Sequence, residues 1–488
     1  MTTVKTPPLA APTRGRARQP KWPSAGSMPS PAERAAFGKT IRSLVPRQDH
    51  AALDLPADRR DPVELLEDQA RTRLPDLVPV RYGRMAASPF AYFRGAALPM
   101  ASDLASTPVT GLPVQACGDA HLSNFGLFGS PERRLIFDIN DFDETLPGPW
   151  EWDVKRLAAS IEIAARENGY PARQRRRIVL AAAARYREAM RDFAGQNNLQ
   201  VWYASMDLDA LQAQLKPTGR LRKAVNTGLA RARSSDSMKA LAKLTSTVDG
   251  RPQIISDPPL TVPLRDLFQS EEDAAGLTRM LHDLIASYRH TLPADTAALL
   301  GRYELADIAR KVVGVGSVGT RCWIVLMLAS DGSDPLFLQV KEAEQSVLAE
   351  FVGRSRYANQ GERVVVGQRF TQAASDIFLG WIRVAHGIDG RQHDYYVRQL
   401  RDWKFSANIG GMPPAWLRQY ASGCGWTLAR AHAKTGDRVA IAAYLGTSDV
   451  FDQAVADFAA RYADQCERDH AHLVDAIKSG RLPREAGV

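Results

Sequence analysis

From about residue 32 onward the chain switches between two hydrophobic periods. Apolar positions recur at helical spacing in "SPAERAAFGKTIRSLV", where Ser30 is placed to cap and Pro31 to open a helix, and again in "PVELLEDQARTRL". "LPVQACGDAHLSNFGLFG" and "RRLIFDINDF" read as short strands, with Gly129, Ser130 and Pro131 supplying a turn between them. From "WEWDVKRLAASIEIAARENG" the helical period returns and continues through "PARQRRRIVLAAAARYREAMRDFAG". Helices are expected as far as about residue 300, broken by a loop around Asp249 to Pro263. Near residue 311 the period changes. "KVVGVGSVGTRCWIVLML" and "PLFLQVKEA" predict strands, "EQSVLAEFVG" a helix, and "ERVVVGQRF", "FLGWIRVA" and "HDYYVRQL" three further strands. In "LFLQVKEA", Leu336, Leu338 and Val340 share one face; Phe337, Gln339 and Lys341 share the other. "AWLRQYASGCGWTLARAHA" and "FDQAVADFAARYADQCERDHAHLVDAI" close the chain as helices.

The pattern predicts a mixed α+β fold, and 488 residues at 45% hydrophobic content suffice for a large core in two lobes. Residues 1–32 are rich in Pro, Ala, Ser and Arg and hold no acid, so they are expected to form a disordered basic tail. The net charge of +9 fits that tail and a basic surface; it also fits attraction to nucleotides or phosphorylated metabolites. Nucleic-acid binding by the tail is a lesser reading. Four scattered cysteines without a CxxC pair point to a reducing compartment and away from a structural zinc site. There is no long apolar run and no apolar leader, so a membrane span is not expected and the cytoplasm is the expected location. "PVRYGRMAASPFAYFRGAA" mixes Arg81, Arg84 and Arg94 with Tyr92 and Phe93, and reads either as a core edge or as the lining of an anion site. "RARSSDSMKALAKL", with Arg231, Arg233, Lys239 and Lys243, reads as a solvated helix face or as an acceptor-binding patch.

The candidate chemistry lies in two places. In "CGDAHLSNFG", Asp119 and Asn124 flank His121, and Asp141 or Asp138 on the next strand can reach the same point. An Asp and an amide oxygen suit Mg²⁺, which takes few protein oxygens and completes its shell with water and phosphate. Asn124, Asp141 and Asp138 are therefore the metal candidates, and Asp119 is the candidate for orienting or deprotonating a hydroxyl. His121 is expected to brace its loop, Asp143 to make a local loop contact, and Asp153 to be structural. The second place is "VVGVGSVGTRCWIVLM", whose Gly314, Gly316 and Gly319 form a GxGxxG. A strand follows it, not a helix, which favours a phosphate-covering hairpin over a dinucleotide fold. Ser317 lies within that loop, and Lys341, on the following strand, is the candidate phosphate-gripping ammonium. Glu344 or Glu350 would hold that lysine, with Glu350 favoured, and the kinase-like resemblance given below implies that backbone around Gln399 to Arg401, where a hinge would lie, contacts a base. Arg398 and Lys404 are read as structural or phosphate-contacting.

"GDAHLSN", "NDFDET" and "GPWEWDVKRLA" together resemble the aminoglycoside-phosphotransferase branch of the protein-kinase-like superfamily, with Cys117 where that branch has His. The chain after the tail also resembles a bacterial family designated domain of unknown function 2252, through "SPFAYFRGAA", "GDAHLSNFG", "FDINDFDETLPGPWEWDVKRLA", "FLQVKEA" and "YYVRQLRDWK". The first resemblance implies a two-lobed kinase-like fold with ATP and Mg²⁺ as cofactors. The motif order is rotated, because the catalytic loop precedes the glycine loop, and "GWTLARAHA" near the end is similar to the helix that normally precedes the catalytic loop. A circular permutation accounts for this order. The expected division is a large lobe over 33–304, a small nucleotide lobe over 305–400, and helices returning to the large lobe over 401–488. The expected activity is ATP-dependent phosphotransfer to the hydroxyl of a small molecule. The alternatives are a nucleotide-binding pseudokinase or nucleotidyl transferase, and a metal-dependent hydrolase on Asp119, His121, Asp138 and Asp141.

Overall fold

A computed structural model describes residues 29–207, 237–267 and 283–485, except 331, 333, 388, 401, 402 and 404. The greater part of the expected tail, and Arg231, Arg233, Arg401 and Lys404, therefore lie outside the described residues. The chain enters as helix α1 (Pro31–Leu44). The Ser30 hydroxyl accepts from the Glu33 amide, and the Glu33 carboxylate accepts from the Ser30 amide, which satisfies two otherwise unpaired donors. Helices α2 (Pro62–Ala70), α3 (Val78–Met85), α4 (Pro89–Gly95) and α5 (Ala97–Leu104) follow, with α2 and α4 also opened by a proline after a side-chain cap.

Next comes the segment that carries the acids. Strand β1 (Pro113–Ala116) pairs antiparallel with β4 (Leu146–Pro149), and β2 (Phe125–Gly129) pairs with β3 (Leu135–Ile139) inside that outer ladder. Helix α6 (Trp150–Glu167) is buried from Trp150 to Ala165, because helices surround it on several sides. These are α7 (Ala172–Ala194) and, from the C-terminal part of the chain, α10 (Val450–Lys478) and α9 (Pro414–Thr435), which runs along α7.

The other half of the molecule is a six-stranded antiparallel sheet in the order β11-β12-β10-β9-β8-β7. Its strands are β7 (Thr261–Pro263), β8 (Tyr303–Lys311), β9 (Cys322–Ala329), β10 (Pro335–Glu342), β11 (Gly380–Val384) and β12 (His393–Gln399). The two faces of β10 divide as the alternation predicts. Leu336 and Leu338 pack with Val325, Met327, Tyr395 and Val397, whereas Phe337 packs with Ile324, Leu326 and Ile254. Across β10, Lys341 stands opposite Cys322 on β9 and Tyr396 on β12.

Three expectations change. "ERVVVGQRF" is not a strand but lies in helix α8 (Gln360–Thr371), capped by the Asn359 side chain. Its β-branched residues fit there because Arg363, Val364, Val365 and Gln368 are buried on several sides, so packing overrides local propensity. "EQSVLAEFVG" forms only the short helix Ala349–Val352. The expected loop near 249–263 contains the hairpin β5 (Thr245–Val248) and β6 (Arg251–Ile254), then β7, which joins the sheet from before the expected lobe boundary.

Candidate functional site

The nested ladders explain why the acidic residues meet. Because β1 pairs with β4 and β2 with β3, the connections 117–124 and 140–145 must lie side by side between the two ladders. The Asn140 amide donates to the Asn124 carbonyl at 2.8 Å, and the Cys117 thiol lies 3.5 Å from the Asp141 carbonyl. Gly118 takes φ +83°, and an added Cβ would sit 2.3 Å from the Glu144 carbonyl, so only glycine lets the two connections approach. Asp153, at the start of α6, accepts the Cys117 and Gly118 amides at 2.7 and 2.9 Å. His432 on α9 holds Asp153 at 3.1 Å and is itself bonded to Tyr186. Asp153 is structural, as its place at a helix start predicts.

Within this frame Asn124 donates its side-chain amide to the Asp119 carbonyl at 2.7 Å, which leaves Oδ1 outside that bond. One Asp119 oxygen accepts from Arg156 at 2.6 Å. Arg156 also donates to the Phe93 carbonyl and lies over the Phe93 ring, so it ties α4 to the Asp119 loop. His121 accepts from the Ser123 amide through Nδ1 and has Nε2 3.7 Å from Asp119. Burial pushes its pKa down to about 4, which keeps the ring neutral in the loop-bracing role expected of it.

The sheet contributes Lys341, which donates to Asp143 and lies 3.5 Å from Asp141. The Tyr396 hydroxyl donates to the other Asp143 oxygen at 2.7 Å. Burial alone would lower the lysine pKa; Asp141 and Asp143 outweigh it and hold the ammonium well above its usual range. Arg363 on α8 donates to the carbonyls of Asp143, Thr145 and Glu344, which stitches sheet lobe and acidic segment together.

The glycine hairpin closes one side. Gly314 and Gly319 take φ +66° and +89°. An added Cβ at Gly316 would come within 3.0 Å of the Arg94 carbonyl. Arg84 donates to the Gly314 carbonyl and Arg73 to that of Val318, while the Leu74 amide donates to that of Gly319. Asp119, His121, Asn124, Asp141, Asp143, Gly314, Gly316 and Ser317 all line one cleft of about 480 Å³.

Three candidates are placed otherwise than expected. Asp138 is fully buried in β3, with its carboxylate held by Arg430 at 2.7 and 2.8 Å and by the Ile139 and Ala373 amides. Strand alternation turns it away from the cleft, so it is a structural anion and not a cleft ligand. Glu350 pairs with Arg60 and, like Glu344, lines the cleft, but the lysine's partners are Asp143 and Asp141. The connection after β3, not the short helix bearing Glu350, supplies the lysine's carboxylates. Gln399 donates its amide to Asp376 and borders a second cavity of about 280 Å³ with Asn140 and Arg398. Arg398 is tied to Gln339 and the Asn140 carbonyl. Asp143 is the residue whose importance sequence reasoning missed. The signal was its spacing two positions beyond Asp141, in a connection too irregular for alternation to orient.

The model of a family described as an uncharacterized protein conserved in bacteria, DUF2252, matches residues 73–476. The chain belongs to the DUF2252 family. The DUF2252 match takes in the Asp119 loop, the acidic connection, the glycine hairpin, Lys341 and α9; of the residues lining the cleft, only Arg60, Asp68, Gln69 and Thr72 precede it. No curated protein and no solved structure gives a significant match to the chain. Among the described residues no group of three or more His, Cys, Asp or Glu side chains is arranged to hold a metal ion, so the hydrolase ligand set on Asp119, His121, Asp138 and Asp141 is not assembled.

Proposed function

We propose that this DUF2252 protein is an ATP-dependent phosphotransferase with a circularly permuted, kinase-like arrangement, acting on the hydroxyl of a small molecule. The observation that carries the reading is that Asp119, Asn124, Asp141 and Asp143 line one glycine-bordered cleft while Lys341, nearly two hundred positions away, pairs with Asp141 and Asp143 from the sheet side. The element order also supports it: a glycine hairpin, a lysine strand, a helix and two more strands are followed by helices that pack on the acidic segment.

Asn124 Oδ1, Asp141 and Asp143 fit Mg²⁺, as hard oxygen donors on two adjoining connections with too few ligands for a closed protein cage. Bound there, the ion supplies charge neutralisation on phosphoryl oxygens. Lys341 adds a fixed positive charge beside the same carboxylates, in a buried position where it needs no reorganisation. Asp119 accepts the acceptor hydroxyl. Its pairing with Arg156 fixes the carboxylate in place, and its contribution is alignment, as suits a loose phosphoryl transition state. That same pairing favours, as a second reading, nucleotide binding without transfer or with transfer of a nucleotidyl group.

The test uses the full chain and Asp119→Asn. Thermal stabilisation that needs both ATP and Mg²⁺ is expected in both proteins, while ATP consumption with a pool of small hydroxyl metabolites is expected only in the parent. Consumption retained in the variant would refute the role of Asp119. AMP-modified product would move the assignment to nucleotidyl transfer.

A further inference from the structure

The cleft has a second wall whose chemistry is opposite to the first. Arg81 is fully buried on α3, yet its Nε and Nη1 have no hydrogen-bond partner among the described residues. Its Nη2 donates only to the Gln69 side chain and the Gly95 carbonyl, both neutral. Arg73 and Arg94 likewise have a buried Nε without a partner, and no carboxylate is within ion-pair distance of any of the three among the described residues. All three line the cleft that holds Asp119 and Asp141.

A buried guanidinium without an anion is costly, because its desolvation is not repaid. Burial accordingly pushes Arg81 well below its ordinary range. Arg73 feels Glu344, Glu144 and Glu342, and Arg94 feels Asp119, but only at a distance. Among the described residues no nearer counter-charge is present, and the three arginines that carry the unpartnered N–H groups line the cleft.

We propose that Arg73, Arg81 and Arg94 form an anion subsite that takes a phosphoryl group. The carboxylate wall suits a cation and the guanidinium wall suits tetrahedral oxyanions, so a metal-bound phosphate matches both at once. The group is either the terminal phosphate of the nucleotide or a phosphate carried by the acceptor. This deepens the phosphotransferase reading and rests on it for the identity of the ligand, not for the existence of the subsite. It also gives a use to the basic-aromatic segment, whose Arg94 follows directly on the Phe93 carbonyl held by Arg156.

The probe is inorganic phosphate, titrated into the full-length protein by calorimetry at constant ionic strength, with chloride as control. Arg94→Gln is the main variant because Arg94 is only half-buried; Arg81→Met is the second, with circular dichroism to establish folding. Phosphate affinity is expected to fall about tenfold or more in each folded variant, as for loss of a charge-assisted contact. Equal affinity in Arg94→Gln, or no phosphate binding beyond chloride in the parent, overturns the proposal. Repeating the titration with Mg-ADP and with a non-hydrolysable Mg-ATP analogue separates the sources. Phosphate excluded by the analogue but not by ADP marks the nucleotide's terminal position, and phosphate bound beside the analogue marks the acceptor's. Arginine-dependent phosphate binding without any Mg-nucleotide binding would keep the subsite and discard the phosphotransferase reading.

Discussion

Replacing Lys341 by Met removes one cation from beside two carboxylates and thereby measures how firmly the sheet is joined to the acidic segment. The lysine side chain is 3% exposed, and those of Asp141 and Asp143 are 32% and 28% exposed. At an effective dielectric of about 20, a charge pair at the 3.5 Å Lys341–Asp141 separation is worth about 5 kcal/mol before desolvation is charged against it. Breaking a fully buried pair costs about 3–5 kcal/mol. The exposure of the two carboxylates lowers the expected loss here to about 2–3 kcal/mol. Asp143→Asn in the same background relieves the repulsion left behind and should restore about half of it. Urea midpoints followed by tryptophan fluorescence, without nucleotide or divalent cations, give the double-mutant cycle. The pH sign is fixed by the raised lysine pKa. Its stabilisation is fully present below the unfolded value of about 10.4 and is lost only as pH rises through the higher folded value. The deficit of the variant should therefore be equal at about pH 6 and pH 8. A loss under about 0.5 kcal/mol with no coupling energy would mean that this contact joins nothing.

Two further outcomes follow. Arg430→Met should destabilise by about 3–5 kcal/mol because it strands the buried Asp138 carboxylate, while leaving any Mg-nucleotide thermal shift unchanged; loss of the shift with normal stability would return Asp138 to the metal site. Burial pushes the Glu144 pKa up to about 7, so its favourable term is complete below the unfolded carboxyl value and is lost as pH rises through about 7. Glu144→Gln should flatten the stability profile between about pH 4.5 and pH 7, and a profile that keeps its slope would contradict that assignment.

What the sequence disclosed follows from where local rules suffice. Alternation alone puts Lys341 with Phe337 and Gln339, and the β-branched run after Gly319 marks a hairpin instead of a helix. The α8 segment defeated the same rules, because its valines answer to neighbours on several sides. Asp138 carried a readable signal, an acid inside a wholly buried strand, which must have a cationic partner. The identity of that partner was not readable, since Arg430 lies 292 positions away. Asp143 and Glu350 exchanged roles for a related reason. Helix periodicity says which face a glutamate occupies, but not how far the helix stands from a given strand.

The inner and outer ladders have a topological consequence. Val114 and Gly148 are register partners, so the polypeptide enters and leaves the acidic region at nearly the same point in space. A piece whose two ends emerge as neighbours behaves like a plug-in module: it can be inserted between any adjoining pair of elements without bending its own interior. Adjoining ends of this kind are what a circularly permuted order, as proposed above, would require of the segment that carries Asp119. Such a rearrangement would have to carry along the side chains that hold the module from outside, Arg156 and Asp153 on α6 and Arg430 on α9.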